Sequence, residues 1–188
     1  MLKIGICGGH RTGKTTLARA TAQQLNINFV QTSTSAVFQQ HGLDPAATMD
    51  FATRLWIQDK IIHAAQNIWQ QQQTAFITDR TPVDFMAYTL GDIQGKTKVE
   101  FQDLENYINQ CFKLANNTFQ HLFILQPAIP LVFETGKAAL NKAYIEHLNT
   151  LILGLCYDER LQIPVTVIPR LTTDLQQRID WIIEKAAL

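Results

Sequence analysis

The residues best suited to chemistry lie near the amino terminus, in a glycine-rich stretch that holds one lysine and three threonines. In "GICGGHRTGKTT" (5–16), the spacing of two glycines, a lysine and a threonine fits the phosphate-loop pattern G-x-x-x-x-G-K-[ST]. Glycines let the backbone curl around a polyphosphate, and a following helix adds the positive end of its dipole. We therefore expect a nucleotide to be bound by Gly8, Gly9, His10, Arg11, Thr12, Gly13, Lys14, Thr15 and Thr16.

Three residues of this loop have expected roles of their own. Lys14 would lie against the β- and γ-phosphates, and the Thr15 hydroxyl would bind Mg²⁺. Arg11 lies where a transferred phosphoryl group would pass, so it is a candidate for stabilising the transition state. The alternative is a solvent-facing arginine that only adds phosphate affinity. The pattern alone leaves kinases, GTPases and motor ATPases open.

A second group of polar residues follows the apolar run "AFIT" (75–78). Asp79 would reach Mg²⁺ through water or accept a proton from an attacking hydroxyl, and otherwise caps the next helix. Arg80 would bind an acceptor phosphate or a transferring one, and otherwise forms a surface ion pair. Asp84 would serve the acceptor or only complement the dipole of its helix. The predicted catalytic set is thus Arg11, Lys14, Asp79 and Arg80, and the predicted metal ligands are Thr15 and Asp79.

The acceptor wall and a lid are expected on two further segments. Phe51 and Arg54, beside Trp56, combine a cation with aromatic surface, which suits a flat, phosphorylated acceptor. Packing in the core is the alternative for the two aromatic residues. Residues 127–144 follow a strand at the place where small-molecule kinases carry a lid. Lys137 is its candidate functional residue, because the segment contains no arginine.

Short β-rich runs alternate with helical stretches, which predicts an α/β fold of three layers, with a five-stranded parallel sheet flanked by helices. The expected strands are 2–7, 28–33, 75–79, 121–126 and 165–168. The expected helices cover 14–25, about 46–73, 82–91, 97–117 and about 138–158, with a closing helix capped by Thr172 or Thr173.

Composition favours one domain over residues 1–188 and excludes several classes of protein. Sixteen basic and sixteen acidic residues give a net charge of zero, so nothing global favours binding of nucleic acid. The three separated cysteines fit reduced thiols in the cytoplasm, and we expect neither a signal peptide nor a membrane span. Long apolar helices leave a homodimer open.

Two stretches resemble known kinases. "HRTGKTT" (10–16) resembles the phosphate loop of thymidylate kinases that place an arginine before T-G-K, where that arginine assists catalysis. "TDRTPVDFMAY" (78–88) resembles the D-R-[ST]-P-x-D-x-x-A-Y stretch of a phosphate-loop kinase family common in bacteriophage and bacterial genomes, which groups with ribosylnicotinamide kinases and thymidylate kinases. Thymidylate kinases also carry a phenylalanine and an arginine on the equivalent helix. The spacing between those two residues differs by one residue from the spacing between Phe51 and Arg54.

The resemblance implies a P-loop NTPase fold of the nucleoside and nucleotide kinase type with a lid. It also implies an ATP- and Mg²⁺-dependent phosphotransferase that acts on a hydroxyl or phosphate of a nucleoside or nucleotide. One alternative from the same family is a phage DNA-modification kinase that acts on 5-hydroxymethyluracil in DNA. Another is an ATPase or regulatory module without transfer. A GTPase is disfavoured because "LNKAY" (140–144) lacks the aspartate of N-K-x-D.

Overall fold

The computed structural model describes residues 1–45, 47–130 and 141–186 of the 188-residue chain. Strands and helices alternate along it, as the sequence predicts. In chain order the elements are β1 (Lys3–Cys7), α1 (Lys14–Leu25), β2 (Asn28–Val30), α2 (Thr34–Gln40), α3 (Phe51–Gln70), β3 (Phe76–Thr78), α4 (Pro82–Gly91), α5 (Phe101–Thr118), β4 (His121–Leu125), α6 (Lys142–Cys156), β5 (Val165–Ile168) and α7 (Leu175–Lys185).

The five strands form one parallel sheet in the order β2-β3-β1-β4-β5, which confirms the predicted architecture. β1 is central, and Gly5 pairs with Thr78 of β3 on one side and with Leu122 of β4 on the other. Because parallel strands end at the same edge, the loop after β1 lies beside the residues that follow β3. The topology therefore brings the phosphate loop next to Asp79 and Arg80.

Helices cover both faces of the sheet, and alternate residues of each strand pack against one face or the other. Ile4 and Ile6 of β1 face α1 and α7, in a core that also contains Phe123 and Ile179. Cys7 faces the second, larger core, which is formed with helices α2 to α6. All three cysteines are free and buried, as expected for reduced thiols.

Side-chain caps fix where five of the helices begin. Each capping side chain accepts a hydrogen bond from the backbone amide of the third residue of the helix that follows. The capping residues are Ser33, Asp50, Thr81, Asn141 and Asp174. The sequence-based choice of Thr172 or Thr173 for the closing helix is wrong, because the carboxylate of Asp174 accepts from the Gln177 amide at 3.0 Å. Ser33 caps α2, a short helix that is not among the helices expected from the sequence.

Two further sequence-based expectations concern the lid and membrane-spanning helices. Of the expected lid (127–144), residues 131–140, including Lys137, lie outside the described residues, so its role stays a prediction. Within the described ranges, none of the helices combines the length and the apolar character that crossing a membrane requires.

Candidate active site

The phosphate loop connects β1 to α1 and is shaped by two glycines. A Cβ atom on Gly8 would lie 2.3 Å from the backbone oxygen of Leu125, so only glycine fits there. Gly13 has a φ of 92° and occupies the N-cap of α1 without any side-chain cap. The first amides of α1 therefore have no capping side chain, and they form the anion-binding end of a helix. Arg11 also has a positive φ, 61°, which is uncommon for a residue with a side chain.

Lys14 lies across this loop. Its ammonium donates to the carbonyl oxygens of Gly8 and Gly9, each at 2.7 Å, and the residue is only 7% exposed. Burial lowers the pKa of Lys14 from 10.5 to about 8, which the carboxylates of Asp84 and Asp79 oppose. The positive charge of Arg80 lowers this pKa further. The structure thus holds a buried cation over the place where the pattern predicts a polyphosphate.

Thr15 and Asp79 meet beside the loop, although 64 residues separate them. The Thr15 hydroxyl donates to Oδ2 of Asp79 at 2.5 Å. The other carboxylate oxygen, Oδ1, is buried and has no hydrogen-bond partner. A hydroxyl and an unsatisfied carboxylate oxygen together fit Mg²⁺, which prefers oxygen ligands and completes its shell with water and phosphate. Among the described residues, no three His, Cys, Asp or Glu side chains are grouped so that they could hold a metal ion by themselves.

Aromatic side chains line the space next to Arg80. The Arg80 guanidinium lies 5.8 Å from the centre of the Tyr88 ring. The Tyr88 hydroxyl is 3.2 Å from Nδ1 of His10, and burial raises the pKa of Tyr88. The His10 ring also lies 5.9 Å from the ring of Tyr144 in α6. Tyr88 therefore connects the phosphate loop with the segment after β3, and Tyr144 connects the loop with α6. The sequence did not assign these roles to them.

Asp84 is the most enclosed ionisable residue of the site. Its side chain is fully buried, with Oδ1 accepting from the Gly8 amide at 3.0 Å and Oδ2 accepting from the Thr81 amide and hydroxyl at 2.8 Å each. Burial raises the pKa of this carboxyl, while Lys14 and Arg80 lower it. Both oxygens are thus engaged with protein groups, so the contacts are those of a residue that positions the loop rather than of one open to an acceptor.

Two of the three expected acceptor residues, Phe51 and Arg54, border an open cavity of about 720 Å³ near the start of α3. Arg54 forms an ion pair with Asp92, with Nε 2.9 Å from Oδ2, and its guanidinium lies 5.8 Å from the ring centre of Phe38. Phe51 is buried and also lines this cavity. Burial raises the pKa of Tyr144 to about 12, with a further increase from the charge of Asp92. Tyr144 thus contacts the phosphate loop through the His10 ring, and the charge of Asp92 acts on its hydroxyl.

One further charged residue near the loop was missed by the sequence reasoning. Arg178 of α7 is buried, and its Nη1 would lie 3.8 Å from a Cβ atom placed on Gly13. A signal was present, because Leu175, Ile179 and Ile182 are spaced as one apolar helix face and Arg178 lies within that face. A charged residue at a core position is a reason to search for its function.

The parallel sheet, the phosphate loop and the Thr15–Asp79 pair define a protein with the P-loop kinase fold. A family model described as an AAA domain matches residues 3–178, and the chain belongs to that family. The family match and the fold confirm the resemblance to P-loop nucleoside and nucleotide kinases. Comparison of the sequence with curated proteins gives no match.

Solved structures of nucleoside and nucleotide kinases share this fold. Deoxyadenosine kinase from M. mycoides, with the products dCMP and dCDP, has a TM-score of 0.72 at 18% identity, over 99% of this chain and 98% of that one. Thymidylate kinase from Candida albicans has a TM-score of 0.63 at 15% identity, over 99% and 91% of the two chains. NadR protein in complex with NR has a TM-score of 0.68 at 14% identity, over 100% of this chain and 50% of that one.

Proposed function

We propose that this chain is an ATP- and Mg²⁺-dependent phosphotransferase that moves the γ-phosphoryl group of ATP to a hydroxyl or phosphate of a nucleoside-type or nucleotide-type acceptor. One observation carries the proposal: a buried Lys14 lies over an uncapped helix end, beside the hydrogen-bonded pair of Thr15 and Asp79. Phosphoryl transfer asks mainly for positioning and for charge stabilisation, and these groups supply both. Structures that share the fold contain dATP, dCTP and AMP-PNP.

Each residue has a defined task in this proposal. Lys14 and the first amides of α1 bind the β- and γ-phosphates of the donor. Thr15 and Asp79 would hold Mg²⁺, which neutralises phosphate charge when bound. The acceptor oxygen bonds to the γ-phosphorus as the bond to the bridging oxygen breaks and ADP leaves. A hydroxyl acceptor also loses a proton, which Asp79 or water takes up.

Arg11 and Arg80 supply positive charge on the two sides of the transferred group. Arg11 belongs to the loop itself, and Arg80 follows Asp79 at the same edge of the sheet. A guanidinium that contacts the phosphoryl oxygens stabilises charge that spreads over them in the transition state. Arg54 and Phe51, at the open cavity, are the proposed acceptor residues, and Lys137 is the proposed lid residue.

A transfer assay tests the proposal directly. Purified protein is incubated with γ-labelled ATP and Mg²⁺ and with nucleosides, nucleoside monophosphates, ribosylnicotinamide or DNA that contains 5-hydroxymethyluracil. We expect label on a nucleoside or nucleotide, and none when Lys14 is replaced by alanine. Label on the DNA alone would move the assignment to a DNA-modification kinase. If no acceptor is labelled and hydrolysis is the same with all of them, the chain is not such a kinase.

Replacing Arg11 tests how far the loop contributes to catalysis. Arg11→Ala should lower kcat by about a thousandfold or more, within the range known for arginine fingers, while the Kd for ATP changes by less than about tenfold. The matched control is Arg19→Ala on α1, whose exposed side chain bonds to Gln31. Equal losses of kcat and ATP affinity would assign Arg11 to binding alone.

A further inference from the structure

Arg178 is a buried cation that has no carboxylate partner in the part of the chain that the structure describes. The residue is 4% exposed and lies on the face of α7 that packs on the sheet, next to Ile179. Within the described ranges it forms one hydrogen bond, from Nε to the backbone oxygen of Thr172 at 2.6 Å, and no acidic side chain there pairs with it. Burial accordingly lowers the pKa of this guanidinium. Arginine is rarely enclosed in this way unless an anion compensates it.

The position of this side chain indicates which anion would compensate it. Nη1 would lie 3.8 Å from a Cβ atom on Gly13, the residue that begins α1 and has no capping side chain. The Cδ1 atom of Ile129 lies 3.4 Å from the same point, so an apolar side chain borders the guanidinium there. A guanidinium with no acidic partner among the described residues and an uncapped helix end thus meet at one place. Both favour phosphate oxygens, the first through charge-assisted hydrogen bonds and the second through its amides.

We propose that Arg178 is a second cation of the donor site, which binds phosphate oxygens of the nucleotide from the α7 side of the loop. The inference rests on the proposed function for the identity of its ligand. Lys14 lies across the loop from the side of Gly8 and Gly9, whereas Arg178 approaches the end that begins α1. We therefore expect Arg178 to bind the phosphates that remain on the donor after transfer.

The same side chain fixes the loop between β5 and α7. Its bond to the Thr172 oxygen holds that loop against the start of α1, and Asp174 then caps α7. Leu171, in the same loop, is 95% exposed. Arg178 thus links the β5–α7 loop to Gly13 of the phosphate loop, which lies 165 residues earlier. A phosphate bound there would place the donor against both segments.

Nucleotide binding by variants of Arg178 tests the proposal. We expect Arg178→Met to raise the Kd for ADP and for inorganic triphosphate by about tenfold to a hundredfold, the range for a lost charge-assisted bond, measured by calorimetry. Adenosine, which has no phosphate, should bind as it does to the wild type. Arg178→Lys should recover part of the loss. kcat at saturating ATP should fall much less than the affinity for ADP does, because the proposed contact is with phosphates that stay on the donor.

Arg170→Met is the matched control. Arg170 belongs to the same β5–α7 loop, but it is exposed and forms an ion pair with Glu146, with Nη2 2.6 Å from Oε2. Its replacement removes a charge from the loop without removing one from the phosphate site, so the Kd for ADP should change by less than about twofold. An Arg178→Met protein that melts at a lower temperature but binds ADP like the Arg170→Met protein would overturn the proposal.

A measurement on the wild-type protein covers the case in which Arg178→Met does not fold. With ¹⁵N-labelled arginine, ADP should shift the guanidinium signals of Arg178 and slow their exchange with water, and adenosine should not. Signals that ADP leaves unchanged would refute the contact. The proposed function fails separately: a wild-type protein that binds ADP through Arg178 but labels no acceptor would keep this inference and lose the kinase activity.

Discussion

Raising the pH should weaken binding of the donor nucleotide, because it removes the charge of Lys14, the buried cation of the phosphate loop. Its ammonium must be charged to bind phosphate, and burial lowers its pKa from 10.5 to about 8. With that pKa, about 90% of the free protein carries the charge at pH 7 and about 10% at pH 9, because each pH unit changes the ratio tenfold. We therefore expect kcat/KM for ATP to fall by about ninefold between pH 7 and pH 9.

The assay is a pH profile of kcat/KM for ATP at saturating acceptor, because this constant reports groups of the free enzyme. The phosphates of the donor should raise the pKa of Lys14, since neighbouring negative charge favours the ammonium form. Binding at pH 8 should then take up about half a proton, which calorimetry in two buffers of different ionisation enthalpy measures.

A variant with a permanent charge separates Lys14 from other groups that titrate in this range. Lys14→Arg stays protonated throughout, so whatever activity it retains should be flat between pH 7 and pH 9. Two results would refute the reasoning: a wild-type profile that is flat to pH 9, or a fall near pH 8 that persists in Lys14→Arg.

The remaining predictions concern Asp84 and Asp79, two carboxylates of the site. Asp50 is the control for Asp84. Asp84→Ala leaves the amide of Gly8 and two donors of Thr81 without a partner, so urea unfolding should show a loss of about 3 kcal/mol or more. Asp50→Ala removes only an exposed helix cap and should cost about 1 kcal/mol; similar losses for the two would contradict a buried role for Asp84. Asp79→Asn removes the charged ligand proposed for Mg²⁺, so the Mg²⁺ concentration that gives half-maximal activity should rise by about tenfold or more, since Mg²⁺ is held through one or two carboxylates. Binding of ATP without Mg²⁺ should stay within about threefold of wild type, and an unchanged Mg²⁺ requirement would remove Asp79 from the metal site.

Local patterns predicted most of the fold. The loop between β1 and α1 follows from spacing alone, because glycine, lysine and threonine have fixed tasks in it. The helix 82–91 has its predicted bounds, since Pro82 suits a first turn and Gly91 is its last residue. Other helix and strand ends differ from their predicted positions by up to about five residues. For example, α3 begins at Phe51 instead of about 46, because Asp50 caps it.

Contacts between distant residues could not be predicted in the same way. The bond from the Gly8 amide to Asp84 joins positions 76 residues apart, and the sequence offered a first-turn charge as an equal explanation for Asp84. The approach of Arg178 to Gly13 depends on how α7 packs against α1, which no local pattern specifies. Such contacts depend on strand order and on helix packing, so only the folded chain reveals them.

The stretch from Asp79 to Asp84 acts as one unit with the phosphate loop. Thr81 caps α4, and Asp84 bonds back to Thr81 while it also accepts from the Gly8 amide. The same carboxylate opposes the effect of burial on the pKa of Lys14 and so helps to keep that ammonium charged near neutral pH. The residues that follow β3 thus set both the shape and the charge of the loop that follows β1. Because of this coupling, a replacement of Asp84 should alter donor binding as well as stability.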